Sequence, residues 1–421
     1  YTFTWYESNG TTVVAGSGTA ATIGVALAAG NYFVQATNTT TNCKSPITNF
    51  TITDTHVNPA VTAATTTNNT NCSGATPNGL LTVNINGAVP VAGQFTIEWF
   101  DGNGTTTPLP AANVTGAAGQ TAQNLDAGTY TVRVTDLVTP NNGCATTTTF
   151  TITDTPAVVS IENADILLTP QSNCSPVNGS ATVNEITVNG AGIGNTTGYT
   201  FTWYESNGTT VVAGSGTAAT IGVALAAGNY FVQATNTTTN CKSPITSFTI
   251  TDTHVNPAVT AATTSNNTNC SGATPNGLLT ININGVVPVA GQFTIEWFDG
   301  NGTTTPLAAA NVTGAAGQTA QNLDAGTYTV RVTDLVTPNN GCSTTTTFTI
   351  TDTPAIVTID NADILLTPQS NCSPANGSAT VNEITVNGAG IGNTTGYTFT
   401  WYESNGTTVV AGSGTAATIG V

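Results

Sequence analysis

Eight cysteines, two histidines and 21 acidic residues are the side chains of this 421-residue chain whose types could do chemistry. The cysteines stand at 43, 72, 144, 174, 241, 270, 342 and 372. Thiols so regularly placed in an acidic chain point to disulfides formed in an oxidising compartment. The histidines, His56 and His254, each follow an aspartate by two residues, Asp54 and Asp252. A Ser-His-Asp constellation needs a placed nucleophile and a metal centre needs further ligands; the sequence specifies neither. Both histidines read as solvated linker residues. No P-loop, HExxH helix or dinucleotide fingerprint is present, so no catalytic, cofactor-binding or metal residue is assigned and the chain reads as non-enzymatic. Asp101-Gly102-Asn103-Gly104, repeated at 299–302, has the opening of a calcium loop without its remainder, and a hairpin turn explains the same residues. Asp154, Asp252 and Asp352 fall where repeats meet. Calcium at those junctions is therefore the one cofactor considered; otherwise none is expected.

The elements that position these residues are announced by residues 125–136, Leu-Asp-Ala-Gly-Thr-Tyr-Thr-Val-Arg-Val-Thr-Asp, which recur unchanged at 323–334. Looser versions stand at 27–35 and 225–233. Tyr130, Val132 and Val134 alternate with Thr131, Arg133 and Thr135, which sends the two sets to opposite faces of a strand. The Leu-x-x-Gly-x-Tyr opening reads as a tyrosine corner, in which a tyrosine near the start of strand F of a sandwich bonds back across the preceding turn.

Residues 1–198 are followed by a near-identical 199–396, and a third copy begins at Tyr397. Each long repeat is itself double, with one tryptophan per unit at Trp5, Trp99, Trp203, Trp297 and Trp401. Break signals after Asp154-Thr155 and Asp252-Thr253 place the boundaries. The expected domains are the back part of a type-A unit (1–58), a type-B unit (59–155), a type-A unit (156–256), a type-B unit (257–353) and the front part of a type-A unit (354–421). Within 156–256 seven strands are expected: A over 158–168, switching sheets midway, B over 180–189, C over 199–205, a short C′ or D over 209–213, E over 217–223, F over 229–236 and G over 244–251. Short strands at such spacing predict an all-β fold of tandem immunoglobulin-like sandwiches. Trp99, Trp203, Trp297, Tyr130, Tyr230 and Tyr328 are the expected structural core.

The net charge of −17, with Lys44, Arg133, Lys242 and Arg331 alone positive, repels phosphate backbones and excludes nucleic acid as a partner. No apolar run reaches the roughly 18 residues of a membrane span. Both ends fall inside strand patterns, so the chain reads as a segment of a longer, exported protein.

Asn71-Cys72-Ser73-Gly74, the run 78–83, Phe95 to Trp99, the run 127–136 and Gly143-Cys144 together resemble the SprB-type repeat. That repeat builds surface adhesins of Bacteroidota that glide or capture prey and are exported by the type IX route. The match covers the units beginning at Pro59 and Pro257 well. It is weaker in the alternate units, where Asn229-Tyr230-Phe231-Val232-Gln233 replaces the Thr-Tyr-Thr-Val wording. The resemblance implies a cell-surface, extracellular spacer or adhesin repeat and brings no catalytic residues.

In a sandwich of this kind the A–B loop lies at the end where strand G leaves, and the F–G loop lies at the other end. Each complete unit carries one cysteine in each loop. A bond within one unit would have to cross roughly 25 Å of strand, whereas a disulfide spans Cα separations of about 4.4–6.8 Å. Head-to-tail stacking instead brings Cys72 to Cys241 and Cys174 to Cys342. If strand A is misplaced, the pairs become Cys72–Cys144, Cys174–Cys241 and Cys270–Cys342. The short linkers predict a rod. Its functional expectation is a stiff spacer in a long extracellular filament or adhesin for attachment, gliding or prey capture, with glycan or surface binding by the loops as the second reading. Its expected partners are further tandem repeats and copies of itself in a homo-oligomeric bundle.

Overall fold

Valine, isoleucine, threonine and aromatic residues in alternation form the strands, and Asn-Gly and Gly-rich stretches turn the chain between them. A computed structural model describes residues 1–420; Val421, the last residue of the 354–421 segment, lies outside the described residues. Among the described residues there are strands, turns and single-turn 3-10 segments but no α-helix. Among the described residues no helix is long and apolar enough to cross a membrane.

Two compact units make up the chain. The first comprises 1–165, 184–202 and 233–246, and the second 166–183, 203–232 and 247–421. The division runs through the strands of the 156–256 repeat.

The first unit contains a complete seven-strand sandwich. Strands A (Val61–Thr67), B (Gly79–Ile85), E (Thr121–Leu125) and D (Val114–Thr115) form one sheet in the order A-B-E-D. Strands G (Ala145–Ile152), F (Gly128–Asp136) and C (Phe95–Asp101) form the other in the order G-F-C. All pairings are antiparallel. This is the strand order of a constant-type immunoglobulin domain. The second unit repeats it with Val259–Ser265, Gly277–Ile283, Thr319–Leu323 and Val312–Thr313 against Ser343–Ile350, Gly326–Asp334 and Phe293–Asp299. The chain is therefore all-β, with tandem immunoglobulin-like sandwiches.

The period-2 pattern decides what each sheet buries. Strand B alternates without fault, so Leu81, Val83 and Ile85 face inward. They meet Trp99, Val132 and Val134 of the other sheet in one core. Burying each such side chain contributes about 1.5–3 kcal/mol. Trp99 Nε1 donates to Gly119 O at 3.0 Å, so the buried indole leaves no unpaired donor. Tyr130 Oη donates to the Asp126 carbonyl at 3.0 Å, closing the tyrosine corner, and its burial pushes the phenol pKa up. Gly79 starts strand B where only glycine fits: a Cβ there would lie 2.4 Å from Leu125 O.

Trp99, Trp203, Trp297, Tyr130 and Tyr328 are buried. Tyr230 differs from the expectation and is only half-buried. Its ring stacks at the margin on Phe248 with centroids 5.9 Å apart, and its hydroxyl donates to Ala226 O at 3.2 Å. Trp203 meets Phe248 edge-on at 5.7 Å.

The strands expected in 156–256 are less regular than the pattern suggested. Strand A breaks at the 3-10 turn Asn163–Asp165. Its first piece, Val159–Ser160, pairs with Thr187–Val188, and its second, Ile166–Thr169, pairs with Ser180–Val183. The strands expected over 209–213 and 217–223 are reduced to isolated bridges, Tyr204–Val211 and Thr182–Thr220. Gly214 and Gly216 at positive φ, with Ala218 and Ala219 beyond them, turn the chain and offer little side chain to pack.

Leu81→Ala is expected to destabilise its sandwich by about 2–5 kcal/mol through the cavity it leaves, whereas Tyr130→Phe costs about 1 kcal/mol for one hydrogen bond. Native-state hydrogen exchange of the strand B and strand F amides in the full chain separates the two effects.

Candidate functional site

The A–B loops of the units at 59–155 and 257–353 are each tied to the end of their own strand G by a buried asparagine, and that of the 156–256 unit by Gln171, which donates its N–H to Thr251 O at 2.9 Å and accepts from Thr253 N at 2.8 Å. Asn69, 3% exposed, accepts at its carbonyl from Thr155 N at 2.8 Å and donates its own N–H to Thr153 O at 3.0 Å. Its side-chain amide donates to Asp154 Oδ1 at 2.9 Å and Asn71 O at 3.1 Å, with Asp126 Oδ1 at 3.3 Å. Asn267 makes the same contacts to Asp352 and Asn269. These clamps fix the A–B loop at the exit end of the sandwich. The F–G loop sits at the entry end, where Asn141 Oδ1 accepts from Val57 N of the incoming linker at 3.1 Å.

With the loops so placed, Cys72 is bonded to Cys241 across a Cα separation of 4.9 Å, and Cys174 to Cys342 across 4.8 Å. Each bond joins the A–B loop of one repeat to the F–G loop of the next. The alternative pairs Cys72–Cys144, Cys174–Cys241 and Cys270–Cys342 are not formed, because the two loops of one sandwich lie at its opposite ends. Cys43, Cys144, Cys270 and Cys372 carry free thiols.

Backbone contacts surround both staples. Cys72 N donates to Thr239 O at 2.8 Å, and Asn240 Nδ2 donates to Ser73 O at 2.6 Å. At the second staple Cys174 N and Ser175 N both donate to Asn340 O, at 2.9 and 3.1 Å. Asn340 N returns a bond to Asn173 Oδ1 at 3.3 Å. The approach is close enough that a Cβ on Gly341 would lie 2.4 Å from Ser175 O. Cys241 and Cys342 are buried, at 1% and 0% exposure.

His254 is the residue whose surroundings the sequence did not disclose. Its side chain is 30% exposed, against 49% for His56. Nδ1 is hydrogen-bonded to Asp252 Oδ1, and a ring nitrogen lies within 4.8 Å of the Cys174 and Cys342 sulfurs. Bonds from the His254 backbone N–H and then its ring hold the Asp252 carboxyl below its ordinary pKa. Only a contact between loops distant in sequence could have shown that this histidine faces a disulfide.

Of the three junction aspartates considered for calcium, Asp154 and Asp352 accept from an asparagine amide and Asp252 from the histidine. The segment 101–104 forms a hairpin turn, with Asp101 N donating to Thr107 O at 2.9 Å and Gly102 N to Thr129 O at 2.8 Å. A polar cleft of about 490 Å³ beside the first staple is lined by Asn69, Cys72, Gly74, Asp126, Asp154 and Pro156 among others, none of them aromatic.

No protein-family model matches the chain, and no curated protein matches it. Among solved structures it aligns with Sidekick-1 immunoglobulin domains 1–5 at 15% identity and a TM-score of 0.20, covering 84% of this chain and 74% of that one. It also aligns with the three N-terminal domains of the Highly Immunogenic Outer Capsid protein of bacteriophage RB49. There the identity is 13% and the TM-score 0.24, over 70% of this chain and 100% of that one. The fold assignment rests on the strand order described above rather than on these overlaps.

Peptide mapping under non-reducing conditions should recover Cys72 linked to Cys241 and Cys174 linked to Cys342; a Cys72–Cys144 peptide would overturn the pairing. Asn69→Ala should cost about 1–3 kcal/mol by unpairing buried backbone and carboxylate groups, and hydrogen exchange at Thr153 and Thr155 should accelerate while strand C is unaffected.

Proposed function

We propose that the chain is a structural repeat segment of a long extracellular filament or surface adhesin, a stiff spacer for attachment, gliding or prey capture. The observation that carries this reading is the covalent joining of consecutive repeats by Cys72–Cys241 and Cys174–Cys342. A bond between the exit loop of one repeat and the entry loop of the next restrains their hinge and shares tension with the linker. Such bonds persist in oxidising surroundings, which supports an extracellular site at the cell surface. The SprB-like wording of the type-B units supports a surface adhesin exported by the type IX route. The role is mechanical and non-enzymatic, and it needs no cofactor.

The second reading, glycan or surface binding by the loops, finds less support. The cleft at the first staple offers polar side chains and no aromatic platform on which a sugar ring could stack. Bundling of copies of the chain is proposed on the exposed threonine faces of strands such as Ala145–Ile152, whose outward residues alternate along the strand.

Stretching the chain between its ends in a force spectrometer should give a short contour when oxidised and a longer one after reduction, since each bond closes off a loop of 169 or 168 residues. Equal contours would sink the load-sharing role. A glycan array should stay silent, and light scattering that gives monomer mass at every concentration would remove the bundle.

A further inference from the structure

Two staples of the same design differ in one neighbour. Asp154-Thr155 is followed by Pro156, whereas Asp252-Thr253 is followed by His254, and only the second bond has an imidazole beside it. Among the described residues, Cys174, Cys342 and His254 are the group of three metal-ligating side chains whose donor atoms lie within 4.8 Å of one another. We infer that the dithiol form of this joint is a zinc site, with the Cys174 and Cys342 thiolates and His254 as its ligands.

The chemistry of the donors fits. Two thiolates and one imidazole suit a thiophilic cation with tetrahedral preference. His254 Nδ1 is engaged by Asp252, which fixes the tautomer with its proton on Nδ1 and leaves the Nε2 lone pair for the metal. This carboxylate–histidine pairing also raises the basicity of the ligating nitrogen. A water completes the fourth position.

The geometry is within reach. Zinc–sulfur bonds of about 2.3 Å at tetrahedral angles place two sulfurs roughly 3.8 Å apart. Rotation about the two Cα–Cβ bonds opens the sulfurs to that distance while the Cα atoms stay near their 4.8 Å separation. The loops do not depend on the disulfide to stay together. Cys174 N and Ser175 N remain bonded to Asn340 O, and Asn340 N to Asn173 Oδ1.

Reduction of the bond by an external dithiol or a phosphine takes two electrons and two protons and yields two thiols; zinc then displaces the two thiol protons. The joint is thus closed by a covalent bond when oxidised and by a metal when reduced. The Cys72–Cys241 joint has only the first means. The inference does not rest on the filament reading and is tested separately from it.

The test uses the full chain with Cys43, Cys144, Cys270 and Cys372 replaced by serine, so that only the two staples carry thiols. After reduction and removal of the reductant, cobalt is added as the spectroscopic probe. One equivalent should bind and show the ligand-field bands of a tetrahedral thiolate site, and the oxidised chain should show none. His254→Ala should abolish the bands, and Asp252→Asn should weaken binding by about tenfold. In the second arm, zinc should slow alkylation of Cys174 and Cys342 by iodoacetamide and leave Cys72 and Cys241 unprotected. Equal protection of both pairs, or cobalt binding that survives His254→Ala, overturns the site, as does the absence of binding.

Discussion

The position of the A–B loop relative to strand G is the constraint on which the rest depends. Asn69, Asn267 and, in the 156–256 unit, Gln171 set it by inserting one residue among the last of the sandwich, satisfying polar groups that would otherwise be buried without partners. Once that loop is held at the exit end, its cysteine is a strand's length from the F–G cysteine of its own sandwich. For Cys72 and Cys174 the cysteine within bonding distance belongs to the next repeat. A local hydrogen-bond network thereby decides a long-range covalent topology.

The strand order was legible in the sequence because the strands of both sheets obey the same period. Leu81, Val83 and Ile85 alternate with threonine and asparagine, and Tyr130, Val132 and Val134 do so against threonine and arginine; each set faces the core. The tyrosine corner was readable because its glycine and tyrosine are fixed in spacing. Where glycine and alanine replace β-branched residues, at 214–222, the pattern overstated the strand and only isolated bridges form. Tyr230 was overestimated for a related reason: the sequence locates it in strand F, but the depth of a ring depends on what the other sheet places over it.

The joints were legible only in part. The cysteine positions and the poles of a sandwich suffice to argue for Cys72 with Cys241 and Cys174 with Cys342. They do not reveal the asparagine clamp, since an Asn-rich loop looks the same in sequence whether its amides are buried or solvated. Nor do they reveal the environment of His254, which is created by a loop more than 80 positions away in the chain, that of Asn339, whose Oδ1 accepts from Val255 N at 2.9 Å.

The two staples also constrain each other. Cys174 lies inside the sequence loop closed by Cys72–Cys241, and Cys241 lies inside the one closed by Cys174–Cys342. The segments 72–174, 174–241 and 241–342 therefore run in parallel between the two bonds, and with both bonds intact the shortest, 174–241, limits how far the joints can be drawn apart. A disulfide that closes a loop of this length stabilises mainly by restricting the unfolded ensemble, by about 4–5 kcal/mol in the chain-entropy account. Two overlapping loops restrict the shared segment twice. This places the covalent reinforcement on the 156–256 repeat, whose strands are the less regular ones, while the regular sandwiches at 61–152 and 259–350 rely on their own cores.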